Sequence, residues 1–304
     1  MSIISSGHRD HPGGLRATGR GVVRAELNEL NDLDYRLLEL VSWLRVVTQT
    51  QLERLHADVP GRTLRYRTQR LYRLGLVGRT RPYRDLGSAP HHLWPTNRAD
   101  ALVRGQPPPR RGERRAPNPL FLAHSAAISE VYVILRTQSG EAGLSLAEFR
   151  REGEARKAFA DANGRRRAIA PDALIAVRDD HDRLLRGHVE LDLGTMTHAR
   201  LRTKLGGYLA HAERGRGAAG APPPPVLLFI TTSTRRADTF ANTVRTLRTG
   251  DRWHGRCEDL GVAICARARQ LEGLLVAACW RDACSDELMT LRDCLRAAHD
   301  RWRS

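Results

Sequence analysis

From Asp34 onward apolar residues recur at helical spacing. Leu37, Leu38, Leu40, Val41 and Leu44 form a stripe, and the pattern predicts a helix. Thr48 or Thr50 is suited to cap a second, short helix from Gln51 to His56, with Leu52 and Leu55 turned inward. After Pro60-Gly61, Thr63 is placed to cap a third helix carrying Leu64, Leu71, Leu74 and Leu76, which Gly75 ends. Two short β-like runs follow, Val77 to Pro82 and His91 to Trp94, around a turn near Gly87-Ser88. Three helices and a hairpin are the plan of a winged helix, assigned to residues 30–104. Residues 1–29, rich in Gly and Arg, lack periodicity until near Val22 and are expected to be a disordered arm. Residues 105–119, with Pro107-Pro108-Pro109 and Arg110, Arg111, Arg114 and Arg115, read as a linker.

A second pattern occupies residues 120–304. An amphipathic helix from Phe121 to Gln138 precedes a strand from Leu144 to Arg150, and the charged residues 151–166 read as an excursion or loose hairpin. Further strands are predicted from Ala168 to Val177 and from Gly187 to Leu193. A helix from Thr197 to Arg214 and a buried strand from Val226 to Thr232 complete an αβββαβ order. Beyond Arg235 the pattern gives a helix, a strand near Val262–Ala266 and a terminal helix, which complete the sheet. The expected fold class is therefore α+β: a winged helix-turn-helix followed by an α/β unit with a mixed sheet.

Composition narrows the function. With 41% hydrophobic and 28% charged residues the chain can build packed cores, while 5% aromatics argue against a protein that works by stacking single-stranded bases. No apolar run suggests a bilayer crossing and the N-terminus lacks a secretory pattern, so the expected location is cytoplasmic, with no membrane partner. The formal net charge of +16 suggests a polyanion, but Lys157 and Lys204 are the only lysines, an arginine skew that a GC-rich genome also produces. Distribution is better evidence than the total. Through residue 120 there are 21 arginines against 11 acids. Between positions 62 and 84 lie Arg62, Arg65, Arg67, Arg70, Arg73, Arg79, Arg81 and Arg84 with no acid among them. A solvated face would mix its signs. A recognition helix with a wing on phosphates needs this one-sided charge, so double-stranded DNA is the expected partner. Cys257, Cys265, Cys279, Cys284 and Cys294 form no CxxC pair and read as idle thiols.

Chemistry concentrates on two predicted strands. Glu190 and Asp192 stand two apart on one strand and so share a face, and Asp172 can join them if the strands form a hairpin. Three converging carboxylates call for a hard cation, Mg²⁺ or Mn²⁺, which could activate water against a phosphodiester. Tyr208, directly after Gly206-Gly207, reads as a packing residue rather than a nucleophile. Glu130, Glu148, Glu152 and His124 are weaker candidates, and Asp179, Asp180 and Asp182 read as a turn.

Pro171-Asp172 followed by Glu190-Leu191-Asp192 in this element order resembles the PD-(D/E)XK nuclease superfamily. More narrowly, Thr50-Gln51-Leu52, Arg70 to Val77, His124, Pro171-Asp172-Ala173, Glu190 to Thr195 and Lys204-Leu205-x-x-Tyr208 resemble the replication-relaxation family of plasmids and integrative elements. The resemblance implies a role in replication or mobilisation, with replication or transfer proteins as further partners. It also implies a nuclease or nickase with catalytic Asp172, Glu190, Asp192 and Lys204, the first three holding the metal. Asp192 occupies the position of the superfamily's lysine, and Lys204, retained where arginine is the default, can stand in for it. The alternative is a non-catalytic DNA-binding accessory protein or regulator whose nuclease-like domain has degenerated.

Overall fold

Helix α1 (Asp32–Leu44) opens with a capping box. The Asn31 side chain accepts from the Asp34 N–H at 3.0 Å, and the Asp34 carboxylate accepts from the Asn31 N–H at 3.2 Å. Leu37, Leu38, Val41 and Leu44 turn inward and are fully buried. The computed structural model describes residues 30–83, 87–107, 117–161, 163–215, 223–250, 260–268 and 271–303. The arm expected at 1–29, most of the linker, Arg84 and Cys257 lie outside these residues.

Strand β1 (Val47–Thr48) runs into helix α2 (Gln49–Leu55). Thr48, not Thr50, caps it: its hydroxyl accepts from the Gln51 N–H, and the Gln51 side chain accepts from the Thr48 N–H. Helix α3 (Gly61–Arg73) begins at Pro60 without a side-chain cap. Thr63, expected in that role, instead donates its backbone N–H to the Pro60 carbonyl. At the other end Gly75 adopts φ +71°, its N–H bonds to the Tyr72 carbonyl, and the Leu76 N–H bonds to the Leu71 carbonyl. That paired closure satisfies two carbonyls and buries Leu76 against the helix it has just left. Strands β2 (Val77–Thr80) and β3 (His92–Pro95) join β1 in an antiparallel sheet of order β1-β3-β2. Gly78 is opposite Trp94, and a Cβ there would lie 2.2 Å from the indole, so the hairpin requires glycine. Helix α4 (Asn97–Val103), capped by Thr96, follows.

The chain divides into two compact units, Met1–Ser129 and Glu130–Ser304. The division falls inside helix α5 (Pro119–Gln138). In the first unit, Leu122 and Ala126 of α5 pack with Val46 and Trp94, and the Ser129 hydroxyl donates to the Val46 carbonyl at 2.6 Å. The stretch Pro119–Ala142 is long and apolar enough to cross a membrane, a property the sequence reading did not anticipate, and half of its apolar window is buried inside the protein.

The second unit continues with β4 (Leu144–Arg151), the one-turn helix α6 (Glu152–Ala155) and a separate hairpin of β5 (Lys157–Ala160) and β6 (Arg166–Ile169). Strands β7 (Ala173–Asp179) and β8 (Leu184–Asp192), helix α7 (His198–Gly215), strand β9 (Val226–Thr231), helix α8 (Thr234–Thr249) and strand β10 (Val262–Cys265) follow. Short strands β11 (Trp280–Asp282) and β12 (Leu288–Met289) precede helix α9 (Leu291–Arg303). Seven strands form one mixed sheet of order β12-β11-β10-β9-β8-β7-β4, parallel through β8, β9 and β10 and antiparallel elsewhere. The fold is α+β, as expected. Two details differ from the sequence reading. The strand predicted over 168–177 is two strands, because Pro171 has no N–H to offer a ladder and pairing resumes at Ala173. β11 and β12, three and two residues long, were not predicted, being too short to carry a period.

Candidate functional site

Helix α3 sorts its arginines by environment. Arg62, Arg65 and Arg73 are exposed, while Leu64, Thr68 and Leu71 face the core. Arg65 reaches back to Glu53 at 2.8 Å, with its side chain still 62% exposed. Arg67 and Arg70 behave differently. Both guanidinium groups are directed at Asp34, at 3.2 and 3.7 Å, and that carboxylate is wholly buried. A buried carboxylate without a cation would be strongly destabilising, so these two arginines, expected among the DNA contacts, also balance the charge of Asp34 in the core. On the hairpin, Arg79 donates to Gln69 and lies over the Tyr72 ring at 4.4 Å. Arg81 bonds Ser88 at 2.7 Å and meets the His91 ring at 3.2 Å. Burial, with the charges of Arg81 and Arg79, keeps the His91 imidazole below its ordinary pKa. Arg84 lies outside the described residues.

In the second unit β8 is an interior strand, not a sheet edge, and its alternate residues His188, Glu190 and Asp192 face the helices that cover it. All three are nearly inaccessible. Glu190 is bonded at both oxygens: Tyr208 of α7 donates to one and the Lys204 ammonium to the other. Asp172, just before β7, braces the same stretch. Its N–H donates to the Val189 carbonyl at 3.0 Å, and its carboxylate accepts from the Leu191 N–H at 2.8 Å. Burial, together with the neighbouring Asp172 charge, outweighs Lys204 and pushes Glu190 up to about 7. Burial and Glu190 likewise push Tyr208 well above the usual phenol range, so it remains a neutral donor and is unsuited to act as a phenolate nucleophile. His188 lies 5.4 Å from the Tyr208 ring and 6.1 Å from the His211 ring. Burial and the neighbouring charges keep both histidines neutral, with pKa values near 3 and 4.

Asp192 does not join the other two acids. One of its oxygens accepts from the N–H groups of Gly194, Thr195 and Met196 at 3.0 to 3.1 Å, and the other is bonded to Arg236 at 2.5 and 2.7 Å. Arg236 in turn holds the Met196 carbonyl at 2.9 Å, so Asp192 organises the turn from β8 into α7. Among the described residues no three His, Cys, Asp or Glu side chains gather in a way that could hold a metal ion. The expected three-carboxylate set for Mg²⁺ or Mn²⁺ therefore does not fit: Asp192 is committed to Arg236, and Glu190 already carries a cation, the Lys204 ammonium. Asp172, Glu190 and Lys204 do come together.

Arg236 was missed in the sequence because nothing about an arginine early in α8 marks it as the partner of an acid 44 positions earlier. Tyr208 was assigned to packing alone; its spacing of four from Lys204, one helical turn, was the available signal that both meet the same group. The thiols also needed the fold. Cys265 and Cys279, unremarkable in spacing, bring their sulfurs to 3.6 Å.

No curated protein and no solved structure matches this chain. The model of the replication-relaxation family matches residues 38–222, more than half of the chain; the protein belongs to that family, and its role lies in the replication or relaxation of plasmids or mobile elements.

Proposed function

We propose that the protein binds duplex DNA through a winged helix in its first unit, with α3 in the major groove and the β2–β3 hairpin as the wing. The second unit is proposed to be a PD-(D/E)XK-like platform without a cutting centre. The observation that carries the DNA reading is the outward face of α3, where Arg62, Arg65 and Arg73 are exposed on a helix that contains no acid. Each arginine that neutralises a phosphate releases condensed counterions, so binding weakens linearly in log salt. Replacing Arg62 and Arg73 by Ala, measured by fluorescence anisotropy on duplex DNA across a salt series, is expected to weaken binding and to flatten the slope by roughly 0.9 per lost contact. Unchanged affinity and slope would overturn the reading.

The platform reading rests on occupancy: Glu190 is bonded at both oxygens and Asp192 is consumed by Arg236 and three amides. One observation favours a second reading, a nuclease or nickase dependent on Mg²⁺ or Mn²⁺. The fold gathers Asp172, Glu190 and Lys204 as the nuclease pattern would. Supercoiled plasmid nicking with either metal separates the two readings. The expected result is no cleavage; nicking abolished by both Asp172→Ala and Glu190→Ala would favour the nuclease.

A further inference from the structure

Positions 62, 66, 69 and 73 fall at spacings of four, three and four, and so form one row along α3. Arg62, Tyr66 and Arg73 on this row are exposed and Gln69 is half-buried. Tyr66 is unusual for a folded surface: its large ring is 61% exposed and the core makes no use of it. It is nevertheless braced. Its ring meets the Arg67 guanidinium at 5.8 Å from the centroid, and that guanidinium donates at 3.2 Å to the fully buried Asp34. Gln69 is braced from the other side, because its side-chain oxygen accepts from Arg79, whose guanidinium is itself stacked on Tyr72. With that oxygen taken, the Gln69 NH₂ group remains as a donor.

Two half-buried cations, one paired with Asp34 and the other stacked on Tyr72, thus hold two uncharged side chains in place on the outer row of the helix. We infer that Tyr66 and Gln69 are the residues that read base sequence, while Arg62 and Arg73 at the ends of the row hold the phosphates. This rests on the DNA-binding reading above. A row framed by cations at both ends suits a major groove between its two phosphate walls, and its centre offers base edges an apolar ring and an amide donor. The ring suits the C5-methyl group of a thymine. The amide suits an acceptor on a neighbouring base, the N7 or O6 of guanine or the O4 of thymine. Charge alone would bind any duplex; these two side chains supply the discrimination.

The test is selection of duplexes from a random-sequence DNA library by the full-length protein, followed by affinity measurements on the enriched site and a scrambled duplex. Tyr66→Ala is expected to reduce the preference for the enriched site about tenfold, with the salt dependence unchanged. Gln69→Ala is expected to flatten the motif at an adjacent base pair. Arg73→Ala is expected to weaken both duplexes alike and to flatten the salt slope. Uracil in place of the contacted thymine should weaken the wild type and leave Tyr66→Ala indifferent. The inference is overturned if Tyr66→Ala and Gln69→Ala keep the wild-type motif and preference, or if the wild type binds duplex DNA with no motif at all. The DNA-binding reading survives both of those results. If the wild type binds no duplex, both are overturned.

Discussion

Replacing Glu190 by Gln preserves the shape of the side chain buried under α7 and removes its charge. Tyr208 can still donate to the amide oxygen, while Lys204 loses its counter-charge. In the folded protein burial and the Asp172 charge raise Glu190 from 4.5 to about 7. The folded chain therefore retains this proton over a range where the unfolded chain has released it. Stability from this group is complete below about pH 4.5 and falls as pH climbs towards 7, the reverse of a salt-bridged surface acid. The interval corresponds to about 3 kcal/mol. His188 and His211, with folded values near 3 and 4 against an ordinary 6.5, tilt the curve the other way, losing stability as pH drops below 6.5. They are present in both proteins and cancel in the difference. Urea unfolding of wild type and Glu190→Gln from pH 4 to pH 8 should therefore show the variant gaining about 3 kcal/mol on the wild type across that range. A difference that stays flat to within about 1 kcal/mol would refute the argument, because Glu190 would then ionise near its ordinary value and Lys204 would have outweighed burial.

Three further outcomes follow from single contacts. Arg236→Met leaves the buried Asp192 oxygen without its cation and should cost about 2–4 kcal/mol in urea unfolding; a loss below about 1 kcal/mol would mean that the three loop amides suffice. Gly78→Ala places a methyl group 2.2 Å from the Trp94 indole and should destabilise the first unit by about 1–3 kcal/mol, read from its tryptophan emission during denaturation. An unchanged midpoint would show that the hairpin yields at little cost. The Cys265 thiol's hydrogen bond and the Arg267 charge lower Cys279 to about 7, whereas burial raises Cys294 to about 12. In a Cys284→Ser background, maleimide labelling mapped by mass spectrometry should modify Cys279 with a half-point near pH 7 and spare Cys294 until the protein unfolds; equal rates would contradict both assignments.

What the sequence made legible and what it hid divide along sequence distance. Elements with a period of their own were readable: the Leu37–Leu44 stripe, the Gly75 stop and the apolar run of β9 each declare themselves within a dozen residues. Glu190 and Asp192 were correctly read as sharing a face, since that follows from strand geometry alone. Their opposite fates were not readable, because they depend on Lys204 and Tyr208 for one and Arg236 for the other, and those partners are brought up by helices that only the packed sheet positions. Charge runs are ambiguous for the same reason. Eight arginines without an acid between them looked like one surface, yet Asp34, 33 positions before Arg67, draws two of them against the core. A run of like charge therefore gives the sign of a region and not its exposed face. On α3 one of the two arginines drawn to Asp34, Arg67, also meets the exposed Tyr66 ring, and Arg79 holds Gln69, so in the proposed interface the braces are charged and the reading surface at the centre of the row is neutral.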